Sequence, residues 1–581
     1  MVKRFLAYLH GWRGVALTAY VWLILMGWAV MYVDMTSSAI KRRMYVVSVI
    51  EMTLVIALLV CPRLLKWAEG LTLHPDFDSL TVQERRKFFL RTWLYVFLAF
   101  LVFYIVFYPG CFNADNVDQY RQAVRGAYAD HHPVSHTLFS FTLPLKLTGG
   151  WPGSIVLFQI IIFSFSLSYT VYTLYEYGSF AFARCFLLFT LLNPITHAFC
   201  ISPLKDVTFA IASMLMMTFA VRVHFTGGEW MKGASHTVIF VLVAVAGTLF
   251  RHNAILFTLP LFLAMFFCAD WKKVLAMLLC FAGLIYAVRG PMYDALKVGR
   301  ADGNRQIEAC GLPLTIIGNA VKEAPERLDN EILEFAYTIA HKDIWEKHFN
   351  VFRGWDDMKF LAGRARENNR QALHFLDLSD EDFQVAKKMD IQAVERVGWK
   401  KIVLMALRCF KEAPYEALRG ALGITATNYA ILGKIPSFNS LLGSPEEPDL
   451  SRNEFFRLDF LTGLFNKILP SGLNISFQKV LSGDISLQSI LALAEIGIAI
   501  LLKPFSLLVG FINLAIIIFI LARLKFNRAY DWKRLCLVLP LLIHNFGTML
   551  LLMGPVFRYF YVSYLVFPLI ILVLMRGKES N

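Results

Sequence analysis

About a dozen apolar runs, most of them close to the length of a membrane crossing, are strung along this chain. They fall at 15–33, 44–62, 92–109, 152–174, 182–200, 205–222, 236–250, 253–269, 273–289, 504–522, 534–552 and 559–575. A helix needs about 20 mostly apolar residues to cross the hydrocarbon core. The chain is 57% hydrophobic and 17% charged, whereas soluble globular chains run nearer half apolar and a quarter charged. The predicted fold is therefore an all-α polytopic membrane protein with about 12 transmembrane helices. The first run follows Lys3, Arg4 and Arg13 and is too long for a cleaved signal peptide, so it reads as a retained helix. The apolar stretch 486–502 is left as an interfacial helix.

The net charge of +14 does not point to nucleic acid. Residues 290–485 carry about 25 basic and about 27 acidic side chains and are near neutral. The excess lies in short loops between apolar runs, as membrane topology demands. Nine cysteines show neither a CxxC pair nor a zinc spacing.

Cytoplasmic loops carry the surplus of Lys and Arg. With the N-terminus inside, Arg63, Lys66, Arg85, Arg86, Lys87 and Arg91 fall inside. So do Lys272 with Lys273, the run from Arg523 to Arg534, and the tail with Arg576 and Lys578. Lys41, Arg42 and Arg43 are the exception and fall outside. The same scheme puts the segment 110–150, the turns at Pro203–Asp206 and Arg251–Asn253, residues 290–485 and Arg558 on the outer face. Three regions result: a transmembrane region 1–289 with the outer loop 110–150, a mostly helical extracytoplasmic domain 290–485, and a C-terminal membrane region 486–581.

The polar residues on that face are the candidates for chemistry. Asp115 and Asp118 are three apart and share a helix face. They suit a general base or a cation ligand, but taken alone an acidic helix start complementing the dipole is the simpler account. His131, His132 and His136 crowd six residues of a chain with 13 histidines. They can donate to phosphate or move a proton; a surface turn is the plain alternative. Lys205 with Asp206, Arg251 with His252, and Arg558 interrupt or open apolar runs. An ionisable group at membrane depth is costly and so a functional candidate, although each cation singly could snorkel. Asn193-Pro194, His544 and Asn545 read as interhelical hydrogen bonders. There is no Walker A loop, no GxGxxG motif after a strand and no GxSxG elbow.

These residues, in order, resemble the GT-C superfamily of integral membrane glycosyltransferases, and within it a bacterial branch. The resemblance runs through Tyr108-Pro109-Gly110, Asp115-Asn116 with Gln119, and His131-His132-Pro133 with His136-Thr137. It continues through Leu204-Lys205-Asp206, Arg251-His252-Asn253, the Glu308 to Leu314 segment and Arg558-Tyr559. Asn116 and His252 depart from the pattern, which has Ser and Asn there. The resemblance implies a sugar donor carried on polyprenyl phosphate and a glycan or lipid acceptor of the cell envelope. It implies transfer at the outer face of the plasma membrane, with inversion. Asp115 would be the base, with Asp118 and Asp206 as further catalytic carboxylates. His131, His132, Lys205, Arg251 and Arg558 would bind the donor phosphate; Gln119, His136 and Glu308 would position donor or acceptor. A divalent metal, Mg or Mn, on Asp115, His131 and His132 is left open. The competing reading is a transporter or flippase for a lipid-linked or anionic substrate, which predicts an internal repeat that the sequence lacks.

Overall fold

The computed structural model describes residues 11–30, 39–71, 73, 81–299, 305–428 and 508–575, less 107, 111, 113, 352, 371–372, 374–377 and 552–556. Among them the chain is helical and has no strand, only an isolated bridge between Ala129 and Gly299. The stretch 486–502 and the upper part of the 290–485 region lie outside the described residues.

Among the described residues six helices are long and apolar enough to cross a membrane: Val47–Gly70, Val82–Ile105, Gly153–Tyr177, Lys205–Phe225, Trp271–Ala295 and Arg558–Met575. Other apolar helices, such as Phe180–Leu192 and Ile255–Met265, are shorter. The all-α membrane architecture thus stands, with six helices of spanning length among the described residues where the sequence suggests twelve. One reason is local. Asn193 ends the Phe180–Leu192 helix in an extended conformation and caps Pro194–Cys200 by accepting from the Ile195 N–H at 3.0 Å. The 182–200 run is therefore broken, and Asn193 serves as a cap instead of an interhelical bonder.

Other boundaries move for equally local reasons. Thr81 and Glu84 form a capping box, with Thr81 N–H to Glu84 Oε2 at 2.8 Å and Glu84 N–H to Thr81 Oγ1 at 3.3 Å. The Val82–Val106 helix therefore starts ten residues before the apolar run at 92, and Arg85, Arg86, Lys87 and Arg91 ride on it. Lys41, Arg42 and Arg43 likewise belong to the first turns of the Ala39–Gly70 helix, not to a loop. The Val82–Val106 helix has two faces. Val96, Phe100 and Phe103 are buried, while Leu94, Leu98, Val102 and Ile105 form an exposed stripe at helical spacing. A contiguous apolar face of this kind suits lipid.

The Lys205–Phe225 helix is the hub. It is almost wholly buried and packs against Gly153–Tyr177, Ala234–Phe250, Ile255–Met265 and Tyr561–Met575. Gly247 allows the close approach of one neighbour; a Cβ there would lie 3.1 Å from Ala212 Cβ and Met216 Cε. At its C-terminal end Arg222 pairs with Glu176 at 2.7 Å, with the rings of Tyr169, Tyr172 and Tyr177 around the guanidinium.

A second apolar core lies in residues 307–417, built on Trp345, Trp355, Ile332, Phe335 and Leu361. The helix from Trp271 continues to Ala295, so this core begins beyond the boundary of 290 expected from composition.

The Pro109-Gly110 turn after the Val82–Val106 helix depends on glycine. Gly110 has φ +127°, and a Cβ would press on Val156 and lie 2.8 Å from the Ile201 carbonyl oxygen. Gly110→Ala should lower the thermal midpoint in detergent, at a cost of about 1–3 kcal/mol. Gly283→Ala, which meets nothing within 4 Å, should not lower it.

Candidate active site

Four helix ends meet at one place. The Ala114–Arg125 helix brings Asp115 in its first turn, and Lys205–Phe225 opens with Lys205 and Asp206. Arg251 caps the C-terminal end of Ala234–Phe250 in an extended conformation. Arg558 lies in the single 3-10 turn Phe557–Phe560 before the last helix. Two buried amides hold the turn that launches Lys205. Gln159 Nε2 donates to the carbonyls of Phe199, Cys200 and Ser202 at 2.9–3.1 Å. Asn116 Nδ2 donates to the Pro203 carbonyl at 2.7 Å.

The charges form one chain. Asp206 is 1% exposed and lies between two guanidinium groups, with Oδ1 3.2 Å from Arg251 Nε and Oδ2 3.3 Å from Arg558 Nε. Arg558 Nη2 then reaches Asp115 Oδ2 at 3.5 Å, and Lys205 Nζ lies 3.5 Å from the same oxygen. Lys205 Nζ also donates to His132 Nδ1 at 3.0 Å, and His132 Nε2 lies 3.7 Å from Asp118 Oδ2. Tyr559 backs the arginines: its carbonyl accepts from Arg251 Nη1 at 3.2 Å, and its ring lies 4.7 Å from the Arg251 guanidinium carbon. Asp115 is partly exposed, whereas Asp206 is sealed.

The electrostatics follow from this geometry. Burial would raise the Asp115 carboxyl, but Lys205 first and Arg558 second hold it well below the usual carboxylate range. Burial first and Lys205 second push His132 down to about 2 and His136 down to about 3. Both imidazoles are therefore neutral in the fold.

The remaining candidates divide. His131 is exposed and lies edge-on to His132, with ring centroids 4.7 Å apart. Asp118 is half exposed and accepts from Gln122 Nε2 at 2.7 Å. Gln119 and His136 are sealed in the bundle. Gln119 Nε2 lies 2.9 Å from His136 Nδ1 and 3.0 Å from Thr137 Oγ1, and His136 Nε2 lies 3.1 Å from Thr208 Oγ1. They tie the Ala114–Arg125 helix to the hub and do not face an opening. Glu308 bonds Lys359 Nζ at 3.1 Å, and Lys359 lies 3.7 Å from Asp356. Burial would raise the Glu308 carboxyl, but Lys359, and more weakly Lys205, hold it below its ordinary value, which brings the second core to the rim of the site.

Gln159, Thr208, Asp356 and Lys359 are absent from the sequence reading. Gln159 carried a usable signal, an amide inside an apolar run. Lys359 and Asp356 carried none, because they lie in an ordinary amphipathic helix. His544 and Asn545 are interhelical bonders, His544 to the Tyr559 carbonyl at 3.2 Å and Asn545 to Asn513 at 2.9 Å and Ser563 at 2.9 Å.

The residues do not suit a divalent metal on Asp115, His131 and His132. The Asp115 carboxylate already faces two cations at 3.5 Å, and His132 turns Nδ1 to Lys205. Among the described residues no group of three His, Cys, Asp or Glu side chains is placed to hold a metal ion.

Comparison with known proteins adds one match. Residues 126–334 match the model described as a family of unknown function (DUF6020). The match covers well under half of the chain; it takes in His131, Lys205, Asp206, Arg251 and Glu308 and leaves out Asp115 and Arg558. No curated protein and no solved structure matches the chain.

Two outcomes are expected. Asp206→Asn leaves two buried guanidinium groups short of a counter-charge and should cost about 3–5 kcal/mol, read as a lower thermal midpoint in detergent. Stability should also fall as the pH drops below about 6.5. An unfolded histidine binds its proton near that value, whereas His132 and His136 resist protonation until about 2 and about 3. The unfolded chain therefore binds more protons across that window. A midpoint indifferent to pH between about 7 and about 5 would contradict neutral buried imidazoles.

Proposed function

We propose that this chain is a glycosyltransferase of the GT-C kind, taking a sugar from polyprenyl phosphate to a glycan or lipid acceptor on the outer face of the plasma membrane. The observation that carries it is the pairing of one accessible carboxylate, Asp115, with two cations, Lys205 and Arg558, at the ends of membrane helices. A donor dissolved in lipid needs cations at that depth for its phosphate, and an acceptor hydroxyl needs a base beside them.

The resting ion pairs also suggest an order of events. A carboxylate held well below the usual range is a weak base. A donor phosphate approaching Lys205 and Arg558 competes with Asp115 for both cations. As they turn to the phosphate, the proton affinity of Asp115 rises. Asp115 then takes the proton of the acceptor hydroxyl while the acceptor oxygen bonds to the anomeric carbon. The bond from that carbon to the phosphate oxygen breaks on the opposite side, and polyprenyl phosphate leaves with the electron pair. Arg251 acts through Asp206, which holds Arg558 in place. Asp118 and His132 support Lys205 from the other flank.

The test is transfer from a polyprenyl-phosphate sugar by the purified protein in lipid. Asp115→Asn should abolish transfer, a loss of at least about a thousandfold, with the thermal midpoint close to that of the parent. Full turnover by that variant removes the mechanism. Movement of an intact lipid-linked sugar across vesicles, without cleavage, would favour the flippase reading instead.

A further inference from the structure

The second core carries a cleft of about 460 Å³, a size typical of small-ligand sites. It lies between the Gly311–Glu323, Lys342–His348 and Pro414–Thr425 helices and the first turn of Trp355–Arg366. Its wall carries four cations, Lys322, Lys347, Arg353 and Arg419, against two carboxylates, Glu323 and Asp357. The cations are unequally matched. Lys347 lies 3.0 Å from Asp382 and Arg353 lies 3.4 Å from Asp357. Among the described residues Arg419 makes one long ionic contact, to Glu323 at 3.8 Å, and its buried Nε finds no hydrogen-bond acceptor. Lys322 donates to the Phe349 carbonyl at 2.7 Å and makes no ion pair among the described residues. Burial, the largest influence, lowers the Lys322 ammonium; Glu323 opposes it, and Arg419 beside it adds to the fall, so the ammonium stays below its ordinary value.

We propose that this cleft binds an anionic sugar unit, its oxyanion taken by Lys322 and Arg419. A carboxylate or phosphate there would fill the open guanidinium donor and relieve the mutual repulsion of two poorly neutralised cations. Asn350 is exposed on the same wall, while Asn319 and Phe349 are packed beneath it, Asn319 Nδ2 donating to the Glu416 carbonyl at 2.7 Å. The volume of the cleft admits a unit the size of a sugar as well as the ion it carries. The cleft is joined to the site described above by a single turn of helix. Asp357 lines the cleft, and Lys359, two residues on, bonds Glu308 at the rim of the site. A unit bound in the cleft would thus be part of the acceptor; that assignment, unlike the binding itself, rests on the transferase reading.

The experiment is binding to the full-length protein in detergent, with glucuronate, glucose 1-phosphate, inorganic phosphate and neutral glucose as probes. Glucuronate or glucose 1-phosphate should bind more tightly than glucose, and their order tells carboxylate from phosphate. Arg419→Gln and Lys322→Gln should each weaken that binding by about tenfold, a modest loss for one charge-assisted contact. Asp115→Asn should leave it unchanged. In the parent protein the bound sugar should also protect Lys322 from an amine-reactive label, a readout that needs no variant to fold. Equal binding of glucose, no binding of either anionic sugar, binding untouched by both substitutions, or an unprotected Lys322 each overturns the proposal. So does inorganic phosphate binding as well as both sugars, since the site would then select a bare ion. Loss of transfer activity by itself does not bear on the cleft, and sugar binding in a protein without transferase activity leaves the cleft standing while the transferase reading fails.

Discussion

Asp206 sits where water cannot reach it and holds two arginines that lie far apart in the sequence, Arg251 and Arg558. A carboxylate in that position is tolerable only with its positive partners in place, and each guanidinium is tolerable only with the carboxylate. The arrangement therefore specifies how the Lys205–Phe225 helix, the end of Ala234–Phe250 and the start of the final helix must meet. Any other packing leaves charge stranded in a low-dielectric interior. The outer part of the network, Asp115 with Lys205 and His132, is built on this inner one through Arg558.

That division explains why one molecule can hold both a sealed charge pair and a half-open one. The sealed pair contributes geometry. The half-open pair is free to exchange partners with an incoming anion, because water and ligand can replace what Asp115 gives up. Two carboxylates that share Arg558 thus differ in burial, Asp206 sealed and Asp115 open to solvent on one side.

The membrane architecture was legible in the sequence because apolar length is a direct physical signal. So was the gathering of Asp115, Lys205, Asp206, Arg251 and Arg558. Each lies at a helix end, and charge rules for loops put those ends on one side. What stayed hidden depends on contact. No spacing reveals that Gln119 and His136 turn inward to each other, or that Gln159 collects three carbonyls. Lys359 and Asp356 came from a helix whose periodicity reports only its own core. Helix limits were missed where polar residues extend a helix beyond its apolar part, as the Thr81–Glu84 box does, or break an apolar run, as Asn193 does.

The pairing of Arg222 with Glu176 has a mechanical corollary. It fastens the far end of the hub helix to the Gly153–Tyr177 helix, while Asp206 fastens the near end to two others. A rod anchored at both tips can neither slide nor spin against its surroundings unless the three charge pairs open together. Any movement of the fold must therefore be borne by the outlying segments, with the hub serving as a stationary axle.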